Sequence, residues 1–337
     1  MLPSSLHLVL LGLGAVALGT FVVLQWRDRS FTATVHAWFP DGSVKRVSPA
    51  GHGKFYEPHV HPEGTRVVYF GNTAGPLQLW ETDLGTRATK PLTPPDFSAR
   101  HPSYSSSGDR IAFAANLDPG ERLETIDTLG KDGAPAKGRS LHIHIMDADG
   151  THRQQITSGN FQDQRPCFSP DGSTITFVSD RDGSTRLWSV PADGSSPPRQ
   201  LVTDGHAYRP CYSVDGQWVY FFRIGGGRHQ LHRVPSAGGP SEPVANDTLG
   251  LTHGPFCEPT GKSILVHAFR QGMWGLWEIP LDGSAPRPLD PPGHDNAAHA
   301  TKAKNGVITF DIATNRSWLR RTGAKVKRTL LTKRERR

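Results

Sequence analysis

Glu57, His101, Arg165 and Arg209 each stand immediately before a proline, and His253 stands two residues before Pro255 with Gly254 between them. His59 follows Pro58, and His299 lies in a related stretch near the end of the chain. Three chemistries are open to such a set. The side chains can simply solvate a wet channel mouth. Arg165 and Arg209 can grip a carboxylate or an acidic peptide, because a guanidinium offers parallel N–H donors in a fixed fork. His59, His101, His253 and His299 can hold a divalent metal over an acidic sugar, since neutral imidazole is a good ligand. The only histidine pairs with H-x-H or H-x-x-x-H spacing are His59-x-His61 and His142-x-His144, where i and i+2 share one face of a strand.

Other chemistries are excluded or weak. No P-loop, dinucleotide fingerprint, paired-carboxylate signature or G-x-S-x-G nucleophile elbow occurs. Ser179–Gly183 (SDRDG) carries two aspartates but lacks the later oxygen ligands of a calcium loop. Cys167, Cys211 and Cys257 cannot all pair within one chain, so they are read as small buried hydrophobes rather than as a disulfide framework.

The elements that must position these residues are repeats. The prolines at 58, 102, 166, 210 and 255 are spaced 44, 64, 44 and 45 residues apart. The long interval contains an insertion at about Leu117–Ser140, with Glu121, Glu124, Asp127 and Lys131. Within the clearest unit, from Arg165 to Val202, SPDG makes a tight turn and Ile175–Phe177 alternates as a strand. Leu187–Trp188 opens a third strand, and Asp193–Gly194 turns into a fourth. Trp80, Trp188 and Trp277 recur at the third-strand position and belong to packing between units. Forty to forty-five residues per four-stranded unit is blade length for a β-propeller. Gly 36 and Pro 28 in 337 residues fit a chain rich in turns and exclude a helical bundle. The expectation is an all-β propeller of six blades of four antiparallel strands, with seven possible. Thr34–Pro49 matches the second half of a repeat and is expected to complete the last blade.

The pattern SPDG-x-x-I-x-F…L-W…D-G, best matched by Ser169–Val202, resembles the repeat of TolB-type propellers, which the dipeptidyl-peptidase and prolyl-oligopeptidase propellers share. The resemblance covers about Glu57–Asp311. It implies an exported propeller and a protein or cell-envelope partner, with no nucleic acid. TolB itself carries an α/β domain ahead of its propeller, whereas about fifty residues precede the first repeat here. The similar oligogalacturonate lyases, which use a histidine-held metal, supply the alternative: a metal-dependent lyase or hydrolase of acidic oligosaccharides. In the first reading the chain is a non-enzymatic, monomeric scaffold without a cofactor. Its ligand meets Glu57, His101, Arg165, Arg209 and His253 at the rim formed by the loops that enter each blade.

Residues 1–30 are expected to be a signal anchor or signal peptide and 321–337 a basic tail, leaving 31–320 for the propeller. Leu6–Leu24 is uncharged, and 19 residues at about 1.5 Å each form an apolar helix that spans a bilayer core. Ala17-Leu18-Gly19 is a passable cleavage site. Arg27 and Arg29 follow the run, which the positive-inside rule reads as a cytoplasmic globule; the resemblance favours the other side. The net charge of +7 is mostly tail: Lys325–Arg337 holds seven Lys/Arg against Glu335 alone. The basic balance therefore says little about the fold.

Overall fold

The computed structural model describes residues 31–315 apart from 52, 74–75, 96–97, 117–139, 226–227, 245–246, 250–251, 271–272, 290 and 295. All regular structure among them is β. In chain order the strands are β1 (Phe31–Trp38), β2 (Val44–Arg46), β3 (Lys54–Val60), β4 (Arg66–Asn72), β5 (Gln78–Asp83), β6 (Thr89–Pro91), β7 (Ser98–Tyr104) and β8 (Arg110–Asn116). They continue as β9 (His142–Asp147), β10 (Gln154–Gln155), β11 (Gln164–Phe168), β12 (Thr174–Ser179), β13 (Arg186–Pro191), β14 (Arg199–Gln200), β15 (His206–Tyr212) and β16 (Trp218–Gly225). The last are β17 (Arg228–Pro235), β18 (Glu242–Pro243), β19 (Thr252–Cys257), β20 (Ser263–Arg270), β21 (Met273–Pro280), β22 (Arg287–Leu289), β23 (Ala297–Lys302) and β24 (Ile308–Asn315).

Each repeat folds as its turns dictate. In the clearest unit the Ser169–Gly172 turn closes with Gly172 N–H on the Ser169 carbonyl (2.8 Å), because glycine accepts the positive φ of 71° there. Phe177 then pairs with Trp188, and Trp188 with Gln200, as the sequence predicts. The second strands are apolar on both faces, as in Ala112–Ala115 and Val219–Phe222, because each sheet is covered on both sides by its neighbours. Trp80, Trp188 and Trp277 pack against those inter-sheet clusters.

The blade count differs from the expectation. Four blades, β7–β10, β11–β14, β15–β18 and β19–β22, stand as separate four-stranded sheets, not six or seven. The other eight strands form one sheet in the order β23-β24-β1-β3-β4-β5-β6, with β2 on β1. The reason is a parallel bridge from Ala33 to Lys54, which joins the N-terminal hairpin to β3. That hairpin adds to β24, so an early segment closes the last one, as Thr34–Pro49 leads one to expect. The first strands β3, β7, β11, β15, β19 and β23 touch in that order, and β23 returns to β3. They therefore surround a closed channel, in which β15 faces β3.

The expected apolar helix at Leu6–Leu24 and the tail at 321–337 lie outside the described residues, as does the insertion at 117–139. No helix among the described residues is long and apolar enough to cross a membrane.

Candidate functional site

The proline of each repeat shapes the channel. Proline has no N–H to give to a ladder, so the first strand cannot pair regularly at that point. Every first strand answers with a bulge: its register to the second strand skips two residues, such as Arg165–Pro166 and Arg209–Pro210. The residue before the proline, or before Ala300 in the last of these strands, takes a left-handed conformation. Glu57 (φ 47°), His101 (55°), Arg165 (53°), Arg209 (53°), Gly254 (63°) and His299 (50°) all do so. A non-glycine residue held there costs on the order of 1–3 kcal/mol, and five of these six are not glycine. This ring of strained positions turns five titratable side chains toward the axis.

Glu57 bolts the ring across its width. Its carboxylate accepts Arg165 Nη1 on both oxygens (2.8 and 2.9 Å) and Arg209 Nη2 from the opposite strand. His101 Nε2 and His299 Nε2 each lie 3.8 Å from it. Its backbone N–H donates to Asp311 Oδ2 (2.7 Å), which also accepts His299 Nδ1 (2.9 Å). Burial alone would raise the Glu57 pKa, but the charges of Arg165 and Arg209, then the two histidines, hold it well below the usual range. Burial, then the neighbouring Arg165, brings Arg209 down to about 10. Burial and Arg165 likewise keep the His101 imidazole neutral.

Above this floor lies a cavity of about 300 Å³. Its walls are Val60, Tyr104, Phe168, Tyr212 and Phe256, and it opens at the turns between first and second strands. The second residue of each turn crowns the mouth: Pro62, Ser106, Pro170, Val214, Pro259 and Lys304. Val214 is 51 % exposed, the one large apolar side chain so placed among the described residues.

On the far side of the ring sits a second histidine group. His253 Nε2 meets His229 Nδ1 at 2.9 Å, and its ring stacks on His267 at 5.6 Å with Trp274 beside both. Burial, before any neighbouring charge, lowers the pKa of His229, His253 and His267. Among the described residues no three His, Cys, Asp or Glu side chains are arranged to hold a metal ion.

A family model described as the TolB beta propeller domain matches residues 134–298. The fold is a TolB-like β-propeller. A TolB homolog from Chlorobium luteolum is 29 % identical over 153 residues, covering 37 % of this chain and 34 % of that one. The TolB-like propeller thus spans about a third of that relative's length. A TolB-type structure from Agrobacterium tumefaciens superposes with a TM-score of 0.66 at 16 % identity, covering 84 % of this chain and 99 % of that one. An oligogalacturonate lyase from Vibrio parahaemolyticus superposes at 0.53 and 12 % identity, with 80 % of each chain covered, which shows the shared fold alone.

The TolB-like propeller brings together Glu57, His101, Arg165 and Arg209 as the repeats suggest, but in mid-channel rather than at the rim of the entering loops. The bulge is the cause, since it sits halfway along the strand. The cavity then opens at the opposite rim. His253 does not join them: Gly254 holds the ring position, and the ring of His253 packs against His229 and His267. His59 lines the cavity wall, its Nδ1 accepting the Tyr104 N–H (3.3 Å), and burial lowers its pKa to about 4. The four histidines considered for a metal are thus divided among wall, floor and far side.

Alignment by prolines places Ala298 at the last ring position, and the structure places His299 there, because Ala300 stands where the proline would be. Asp311 and His267 escape a search centred on the prolines. They occupy the second-strand position that is Phe70, Ala114, Val178 and Phe222 in the other repeats. A polar residue in that apolar register was the available signal. The cysteines need correction too: Cys211 and Cys257 form a disulfide between β15 and β19, with Cα atoms 5.8 Å apart, and Cys167 stays a thiol.

Proposed function

We propose that this TolB-like propeller is a binding scaffold that receives part of a protein or cell-envelope partner in its channel cavity. The cavity carries this reading: a chamber of about 300 Å³ with aromatic walls, an apolar crown and a floor of Arg165, Arg209 and His101. Such a combination of apolar lining and few convergent polar groups is what a binding pocket requires. The ion pairs of Glu57 brace the floor across the channel, so a partner meets a preformed surface.

We place the propeller outside the cytoplasm. Support comes from TolB relatives and from the Cys211–Cys257 bond, since disulfides persist in oxidising compartments and are rare in the cytosol. Leu6–Leu24 would serve as its membrane anchor.

The test is capture from envelope extracts by the intact chain and by Val214→Asp. Val214 is exposed at the mouth, so the change leaves the fold alone while placing a charge in the crown. The expected result is a bound component that the variant loses at least tenfold; identical capture by both chains overturns the reading.

A further inference from the structure

Donors and acceptors are in balance on the cavity walls. The Tyr104 hydroxyl donates to Glu81 (3.0 Å) and the Tyr212 hydroxyl is bonded to Thr176 (2.7 Å), so both rings offer the cavity carbon. The Thr301 hydroxyl is bonded to Thr309 and to the Val60 N–H. The Cys167 thiol donates to the Phe168 carbonyl. At the mouth Lys304 pairs with Glu63 and Lys302 with Glu258.

The floor is not in balance. Arg165 bonds only through Nη1 and Arg209 only through Nη2, both to Glu57. The remaining guanidinium nitrogens, in side chains that line the cavity, have no partner among the described residues. His101 is 3 % exposed and lines the same floor, yet neither of its ring nitrogens has a hydrogen-bond partner there. Two guanidiniums share the one carboxylate they bond to; Asp311 takes its hydrogen bonds from the Glu57 N–H and His299 and acts on Arg209 through its charge alone. The His101 nitrogens are buried, and an unused polar group in a desolvated position is costly until a partner arrives.

From this we infer that the cavity takes the C-terminal end of a partner chain, its α-carboxylate on Arg165, Arg209 and His101 and its last, apolar side chain against Tyr104, Phe168, Tyr212 and Phe256. This rests on the binding role proposed above and names the group that the site reads. Three observations select it. The Glu57 ion pairs cross the channel at the inner end of the cavity, so a chain that enters meets the guanidiniums end-on. At about 300 Å³ the cavity is at the small end of ligand pockets, too narrow for a chain that goes in and returns. The group at the bottom must be an anion, since an N-terminal ammonium would face two guanidiniums, whereas a carboxylate fits their forks and makes the stronger, charge-assisted bonds.

The test is calorimetric titration of the intact chain with three probes: N-acetyl-Ser-Ala-Phe as the free acid, the same tripeptide as its C-terminal amide, and 3-phenylpropanoate. The free acid is expected to bind at least tenfold more tightly than the amide and more tightly than 3-phenylpropanoate. Arg209→Gln, with its fold checked by thermal melting, should reduce acid binding at least tenfold and leave the amide unchanged. Equal binding of acid and amide, or no binding of either up to millimolar concentration, overturns the inference. So does 3-phenylpropanoate binding as tightly as the peptide, which would assign the cavity to a small organic acid. The envelope capture above fails or succeeds independently: a partner lost on Val214→Asp while acid and amide bind alike keeps the scaffold and removes the chain end.

Discussion

Asp163 meets one guanidinium, and Glu57 meets two. Asp163, with no exposed surface, accepts Arg181 Nη2 and Thr157 Oγ1 at 2.6 Å each. Its backbone N–H donates to the Leu141 carbonyl, and Arg181 lies over the Phe161 ring at 4.6 Å. That arrangement ties the segment before β11 to the turn after β12, with Asp163 Oδ1 and Arg181 Nε left buried without a hydrogen bond. Glu57 and its arginines instead cross the open channel and leave donors over. What separates a brace from a site is where the leftover donors lie: those of Arg165 and Arg209 belong to side chains that line the cavity, whereas Arg181 Nε is sealed in.

The largest effect should come from breaking the matched pair. Asp163→Asn takes from Arg181 the carboxylate it bonds to, leaving Asp180 to act on it through charge alone, and losing one partner of a buried pair costs about 3–5 kcal/mol. Denaturant unfolding should show that loss, while the free-acid tripeptide binds as before. A loss of peptide affinity alongside would mean that the two regions are not independent.

Glu57→Gln should behave differently. The glutamine can still accept one hydrogen bond, and the ring borders the cavity, so the expected loss is smaller, about 2 kcal/mol. Removing the only carboxylate between Arg165 and Arg209 frees both guanidiniums, and the free-acid peptide should bind about five- to tenfold more tightly. Stability falls and affinity rises. Calorimetry on the variant checks this, and weaker acid binding would show that Glu57 orients the arginines more than it competes for them.

The repeats made most of the fold legible, because each level of the sequence agrees with the next. Proline marks the bulge, S-P-D-G marks the turn, and the apolar alternation marks the covered second strand. They also named four of the five side chains on the ring. What they could not show depends on geometry across repeats. His299 was displaced by one residue because alanine replaced the marker proline. The spacing points to the rim of the entering loops, whereas the cavity opens at the turns between first and second strands, because a bulge halfway along a strand leaves no trace in the spacing. Cys211 and Cys257 sit at different offsets from Arg209 and Gly254, so their approach becomes visible only when adjacent sheets are packed. The division of the sheets depends on one bridge, Ala33 to Lys54, which no residue type announces.

The pH dependence separates Glu57 from three buried histidines. Burial, before smaller effects of neighbouring charges, lowers His36, His59 and His144 from 6.5 to about 4 in the folded chain. In the unfolded chain they take up protons near 6.5, so between pH 6.5 and 4 the unfolded state binds more protons and stability falls with pH. Each such group contributes a slope of about 1.4 kcal/mol per pH unit in that window. Glu57 acts lower and in the usual carboxylate sense. Its stabilisation is complete above the ordinary value of 4.5 and is lost as pH falls through its depressed folded value. The wild-type denaturation midpoint should therefore begin to fall near pH 6.5, before any carboxylate is protonated, and Glu57→Gln should fall in parallel from 6.5 to 5. The two profiles should converge only below pH 4.5, where the wild type loses what the variant never had. A flat wild-type profile from pH 7 to 5 would mean that these histidines are charged in the folded chain. The neutral His101 at the floor of the cavity would then be in doubt as well.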